Sequence, residues 1–258
     1  MIRRLPHLFL TLALLACCWA AAFGQGKVYT RKLRLADFPT KTTKMVLAGN
    51  SFLELALREE IAARWRISPF EFCSPDEYGR LRSSADYYFL TLAQDDGIAF
   101  LVLSKGGREG EKDQLRQAFE VVRMPMASVD DPTGRELVFM GAFLDVIQRF
   151  VEEAMISDKT AYGGLSAGNA LSLRGRTVYL DPDAADEAFL REEAGALLAV
   201  TIAPDPAGPR SSCYKMLISA DTHELFFFEK SRYRDPSDAA FSDADAHRFT
   251  RRGAAVKR

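Results

Sequence analysis

"DYYFLTLAQDDGIAFLVLS" (residues 86–104) places two apolar runs on either side of a short polar turn. Both runs are rich in aromatic and β-branched residues, which favour strands over helices. Asp95-Asp96-Gly97 separates them, and Asp and Gly tolerate the positive φ that a tight hairpin requires. The stretch therefore predicts two antiparallel strands, 86–94 and 98–104.

Sequence on both sides of this hairpin predicts further strands. They are short apolar runs at 43–49, 69–74, 118–124, 176–180, 196–203, 213–219 and 224–230. "ADTH" (220–223) connects the last two runs and predicts a second tight hairpin.

Five helices are predicted from caps and apolar periodicity. One begins at a capping box, Ser51-x-x-Glu54, and a second capping box, Thr133-x-x-Glu136, opens the longest, 136–157. Two short helices, 75–82 and 181–190, begin with proline and acidic residues, and a tail helix runs from a cap at Ser242 to Gly253.

The order helix, strand, short helix and three strands occurs twice along the chain. This predicts an α+β fold with antiparallel or mixed sheets in a two-layer arrangement, each sheet covered by a long helix, and an internal repeat. The predicted halves are residues 25–130 and 131–235. Residues 236–258 form a tail, in which "DPSDAA" (235–240) is a linker before the last helix.

The amino terminus predicts export. Arg3 and Arg4 precede an uncharged apolar run at 8–22, and Ala22-Phe23-Gly24 offers small residues at both positions of a cleavage site. A membrane anchor would need about 20 apolar residues. Leu14-Leu15-Ala16-Cys17 also resembles a lipidation site, but the apolar continuation favours cleavage after Gly24 over lipid attachment at Cys17.

Net charge excludes a strongly basic protein. The chain carries −1, and loss of residues 1–24 removes two arginines and no acid, which leaves −3. Nucleic acid and anionic lipid attract clusters of basic residues, so nothing in the overall charge favours either as a partner.

"AYGGLSAGN" (161–169) contains a G-x-S-x-G pattern centred on Ser166. A nucleophile elbow requires a strand before the serine and a helix after it, whereas here the longest predicted helix precedes it and a strand follows. We therefore interpret the segment as an exit from that helix, with a left-handed cap at Gly163 or Gly164. Ser166→Ala should leave the fold and function nearly unchanged.

A serine hydrolase stays as the alternative, with Ser166 as the nucleophile and His223 as the base. The turn position of His223 predicts that its ring faces solvent. Asp243 and His247 share a helical face, but two ligands are too few for a zinc site. No phosphate-binding loop, dinucleotide fingerprint or C-x-x-C pattern is present, so no metal or cofactor is expected.

Cys73 and Cys213 remain after cleavage. Each lies in an apolar run, which predicts two buried thiols. An oxidising compartment would also permit a disulfide between them, and the sequence leaves that alternative open.

Four stretches carry a family resemblance. They are "KVYTRKLRLADFPTKTTKMVLAGN" (27–50), "RWRISPFEFCSPDEY" (64–78), "ADYYFL" (85–90) and "CYKMLISADTHELFFFEK" (213–230). Together they resemble a family of exported proteins from Bacteroidetes-type bacteria, a resemblance that implies no activity and no catalytic residue. The order of elements is also similar to the anticodon-binding-like α/β modules of the TolB amino-terminal domain and CsgG-type envelope proteins. That similarity implies envelope assembly and protein contacts.

These observations predict an exported envelope protein with a non-catalytic binding or assembly role, in the periplasm or at the outer membrane. Its partner would be an envelope protein, a peptide or a glycan, and the chain would not span the membrane after cleavage. The alternatives are the Ser166 hydrolase and an assembly factor lipidated at Cys17.

Overall fold

The computed structural model describes residues 35–49, 52–107, 119–130, 132–208 and 210–258. Within them the chain forms helices and two mixed five-stranded sheets, which confirms the predicted α+β class. The export signal, Cys17 and the predicted cap at Ser51 lie outside the described residues.

The first sheet contains the hairpin from which the fold was predicted. Its strands are β1 (Thr42–Val46), β2 (Phe70–Cys73), β3 (Tyr87–Asp95), β4 (Ile98–Lys105) and β5 (Phe119–Ser128), in the order β2-β1-β3-β4-β5. β2 and β3 run parallel to β1, and the other pairs are antiparallel. Asp96 and Gly97 form the two-residue hairpin loop with φ of 48° and 74°, as a turn of this length requires.

The second sheet is built entirely from the later part of the chain. Its strands are β6 (Thr177–Tyr179), β7 (Ala196–Ile202), β8 (Ser212–Ser219), β9 (Leu225–Arg232) and β10 (Ala255–Lys257), in the order β10-β6-β7-β8-β9. β6 is parallel to both of its neighbours, and β7, β8 and β9 are antiparallel. The outer edge of β9 is partly closed by Asn169, whose side-chain amide bonds both the N–H and the carbonyl of Phe228.

Most of the predicted helices are present, with clear caps. The helices are α1 (Phe52–Arg64), α2 (Pro75–Leu81), α3 (Arg135–Val138), α4 (Met140–Ile156), α5 (Asp158–Gly163), α6 (Pro182–Leu190), α7 (Pro236–Ala239) and α8 (Asp243–Arg251). Ser74 and Asp181 cap α2 and α6 ahead of a first-turn proline. Ser242 and Asp245 form a complete capping box on α8.

Three local predictions are wrong. The Thr133 capping box does not form, because Gly134 adopts φ 84° and is itself the cap of α3, while the Glu136 carboxylate accepts from the Gly134 N–H. The predicted long helix is also divided at Phe139 into α3 and α4. The supposed linker at 235–240 contains α7, capped by the Asp235 side chain.

One large core joins the two halves of the chain. Phe143 and Ile147 of α4 belong to the same buried cluster as Leu103 of β4 and Ile218 of β8. A smaller cluster on the other face of the second sheet includes Phe249 of α8. The two sheets therefore divide the chain near residue 130, but they do not have separate cores.

The internal repeat stays a prediction. The chain order of elements recurs, but the strands that precede the short helices occupy different places. β2 lies at the edge of the first sheet, whereas β6 lies inside the second, with β10 outside it.

Candidate binding cleft

The candidate site lies where the two halves of the chain meet. A cleft of about 340 Å³ opens between the end of β5, helix α3, the end of β7 and the segment from Tyr233 to Ala239. This volume is at the lower end of the range of small-ligand pockets. The cleft can hold one large side chain or a small molecule.

The floor of the cleft is apolar. Met126, Phe139 and Phe143 are buried to 1% exposure or less, and Val200 is 2% exposed. They belong to the shared core, so packing on every side holds the floor in place. The cleft therefore lies over a fixed, buried apolar layer.

Polar groups surround that floor. Arg135 forms a bidentate ion pair with Asp186, at 2.7 Å between Nη2 and Oδ1, and its guanidinium also lies 5.3 Å from the centre of the Phe139 ring. Glu136 is 8% exposed, and its carboxylate is bonded to the backbone of Gly134. Burial, together with the nearby charge of Asp205, raises the pKa of Tyr233, so its hydroxyl stays protonated and can donate a hydrogen bond.

Sequence reasoning missed this cleft. Its walls come from four separate segments of the chain. The residues of each segment are typical of a strand, a helix cap or a loop and do not indicate a binding site. The apolar runs at 118–124 and 196–203 were the only available signal, and they predicted strands rather than a site.

His223 is not solvent-facing, contrary to the prediction. Its side chain is 15% exposed, and Nδ1 lies 2.8 Å from Oδ2 of Asp145 in α4. Its ring stacks on Phe189 of α6 with the ring centres 5.5 Å apart. The turn between β8 and β9 is thereby fastened to both α4 and α6.

Asp145 also forms an ion pair with an arginine of another element. The Arg64 guanidinium lies 3.2 Å from Oδ2 of Asp145 and 2.6 Å from Glu60. Burial acts to raise the pKa of Asp145, but the hydrogen bond with His223 and the nearby arginines outweigh it and lower the pKa. A Cβ on Gly141 would stand 2.5 Å from Arg64 Nε, so this glycine leaves the space in which the ion pair lies.

Ser166 does not join His223 in a catalytic arrangement. Its hydroxyl donates to the carbonyl of Gly163 at 3.0 Å, in the exposed 3₁₀ turn Gly164–Gly168. Among the described residues, no serine or cysteine forms a hydrogen bond to the His223 ring. In the described part of the chain, the hydrogen-bond partner of the His223 ring is therefore Asp145 and not Ser166.

Gly164, one of the two predicted cap glycines, does adopt a positive φ of 65°, with ψ of −159°. It ends α5 rather than the long helix, which stops at Ile156. The exit from the long helix is thus made by Ser157, which caps α5 with its side chain.

The two cysteines are free, so the disulfide alternative is not realised in the structure. Cys73 is buried at the end of β2, and burial raises the pKa of its thiol. Cys213 is buried in β8, where its sulfur lies 3.1 Å from Ser231 Oγ. The thiols lie in different sheets, which accounts for their separation.

No family model, curated protein or solved structure matches the chain. The resemblances to exported Bacteroidetes-type proteins and to TolB and CsgG-type modules accordingly stay predictions. In the part of the chain that the structure describes, none of the helices combines the length and apolar character needed to cross a bilayer.

The described residues also hold no group of three or more potential metal ligands. Asp243 bonds Arg258, and Asp245 bonds Ser242 and Lys215, so the acids beside His247 serve the helix and its neighbours. The cleft is then the feature best formed to receive another molecule.

Proposed function

We propose that this chain is an exported, non-catalytic binding protein of the cell envelope, in the periplasm or at the outer membrane, and that the cleft is its ligand site. The ligand would be a peptide segment of an envelope protein that inserts one apolar side chain. The observation that supports this most is the pairing of an apolar floor, Met126, Phe139, Phe143 and Val200, with a polar rim.

A peptide suits the cleft better than a glycan. Sugars are commonly held by exposed aromatic faces, but Phe139 and Phe143 are at most 1% exposed. An apolar side chain would extend the packing of the floor, while the rim groups Asp205 and Tyr233 offer hydrogen bonds to a peptide backbone.

The hydrolase alternative has less support. Ser166 is bonded to a backbone carbonyl and His223 to Asp145, with no hydrogen bond between the two side chains. Labelling by a fluorophosphonate probe that Ser166→Ala abolishes would nonetheless establish the hydrolase and overturn the binding proposal.

A cleft-filling variant tests the proposed site. Ala203 lines the cleft and Ala207 lies on the same loop outside it, so Ala203→Trp and Ala207→Trp form a matched pair. Peptides would be selected from a displayed random library on the unmodified protein. We expect them to bind Ala203→Trp about tenfold or more weakly, because the indole occupies the space of the anchoring side chain.

The control should bind those peptides like the unmodified protein. Equal binding by both tryptophan variants would place the peptide site elsewhere. A selection that enriches no apolar anchor would contradict the proposed ligand class.

The proposed export is tested separately, on the mature protein. Mass spectrometry of its first residue should show a start at Gln25. A diacylated Cys17 would instead support the lipid-anchored alternative, and an intact Met1 would contradict export.

A further inference from the structure

A second, open depression lies at the beginning of β8 and the end of β9. Its volume is about 550 Å³, and it is lined by Arg210, Ser211, Ser212, Lys230, Ser231 and Arg232. Half of these side chains are cationic, half carry a hydroxyl, and none is acidic.

The register of the sheet places the cations and a hydroxyl together. Residues two apart on a strand share a face, so Lys230 and Arg232 project from the same side of β9. Ser212 stands opposite Arg232 in the β8–β9 pairing and therefore shares that side. Arg210 reaches the same depression from the loop that precedes β8.

Two of these cations have no counter-ion in the described part of the chain. Neither Arg210 nor Lys230 forms an ion pair there, and the ammonium of Lys230 lies 5.5 Å from the centre of the Tyr214 ring. The Ser212 hydroxyl likewise makes no hydrogen bond among the described residues. Ser211 and Ser231, in contrast, are already bonded to Gly208 N–H and to the Cys213 sulfur.

The acids nearest in sequence to Lys230 and Arg232 are engaged elsewhere. Glu229 pairs with Arg248 at 3.0 Å, Asp235 caps α7, and Asp238 accepts from the backbone N–H of Arg234. The positive charge of the depression is therefore not neutralised by its own segment.

We propose that this depression binds a phosphate group, held by Arg210, Lys230 and the Ser212 hydroxyl. Guanidinium, ammonium and hydroxyl donors that converge on one open site match the several acceptor oxygens of a phosphate. The net charge did not predict this site, because acidic residues elsewhere balance its cations in the sum. The sequence did not predict it either, because residues 210 and 230 are far apart in the chain. The phosphate would be either free or part of a lipid headgroup.

Titration of the purified full chain with inorganic phosphate tests the site, followed by calorimetry and by the amide signal of Ser212. We expect saturable binding that Arg210→Gln and Lys230→Gln each weaken by about fivefold, since each removes one charge-assisted hydrogen bond at an exposed site. Arg251→Gln, which removes an exposed arginine of α8, is the control and should bind phosphate unchanged.

Vesicles distinguish the two sources. Sedimentation with phosphatidylglycerol vesicles that Arg210→Gln abolishes, and no sedimentation with phosphatidylcholine, would identify a lipid headgroup. Phosphate binding without vesicle binding would identify a free phosphate. The proposal is overturned if phosphate does not saturate the protein, or if Arg251→Gln weakens binding as much as Arg210→Gln.

Discussion

Two residues of "GLSAG", Gly164 and Ser166, contribute very differently to the molecule. The serine hydroxyl bonds a backbone carbonyl in an exposed turn, which water could replace. Gly164 has φ of 65° and ψ of −159°, a conformation that residues with a Cβ rarely adopt. The G-x-S-x-G pattern indicated the serine as a functional candidate, whereas the local backbone conformation depends on the glycine.

Substitution of Gly164 should destabilise the protein through backbone strain alone. A Cβ at Gly164 would meet nothing within 4 Å, and the same holds for Gly168. Gly164→Ala should therefore lower the free energy of unfolding by about 1–3 kcal/mol, measured by urea denaturation. Gly168, at which no positive φ is present, is the control: Gly168→Ala should change that free energy by no more than about 0.5 kcal/mol. Equal losses in the two variants would contradict the role of φ.

At the scale of elements, the contact between α4 and the β8–β9 turn depends on charge. Asp145 accepts from His223 of the turn and from Arg64 of α1, so one carboxylate holds three elements together. Its pKa lies below the ordinary value of 3.8, which means that the folded state stabilises the charged form. The stabilisation is present above pH 3.8 and is lost as the pH falls through the lowered pKa.

Asp145→Asn should make the free energy of unfolding less dependent on pH in the acidic range. At about pH 6 the variant should be less stable by about 1–3 kcal/mol, because the partners of the carboxylate lose a charged acceptor. The difference from the unmodified protein should shrink at a second, acidic pH below 3.8, because the stabilisation of the charged form is lost as the pH falls through the lowered pKa of Asp145. Urea midpoints at the two pH values measure this stability difference. Asp243→Asn, at an exposed position, is the control. A difference that does not change with pH would show that charge is not the cause.

Local sequence patterns predicted the elements better than their arrangement. The Asp96-Gly97 hairpin, the proline-led helices and the Ser242 cap formed as expected, because each depends on residues that are close together in sequence. The break at Phe139 was missed, because Phe139 fits the apolar periodicity of the predicted helix. The environment of His223 was also missed, because its partner Asp145 is 78 residues away.

At the scale of the whole molecule, the shared core makes the two halves interdependent. Side chains of β4, α4 and β8 lie in one cluster, so neither sheet buries its apolar face without the other half of the chain. The division near residue 130 therefore separates two sheets but not two independent folding units.

Shortening a core side chain in the second half of the chain should therefore also destabilise the first half. Trp65 packs in the shared core and is the one tryptophan of the chain without residues 1–24. Ile218→Ala in β8 should lower the free energy of unfolding by about 2–5 kcal/mol, because it leaves a cavity in that core. Trp65 fluorescence and far-ultraviolet circular dichroism should report the same shifted urea midpoint. Two separate transitions would show that the halves unfold independently.

The bond between Asn169 and Phe228 has a consequence for how copies of the molecule behave toward one another. A strand edge with unpaired N–H and carbonyl groups is a template on which another chain can add. The Asn169 amide occupies both groups of Phe228, and Ala170 N–H occupies the carbonyl of Phe226, so this part of β9 is closed to a second strand. The glycine-rich segment thus leads into a residue that should oppose aggregation, because it occupies backbone groups with which a strand of another copy could pair.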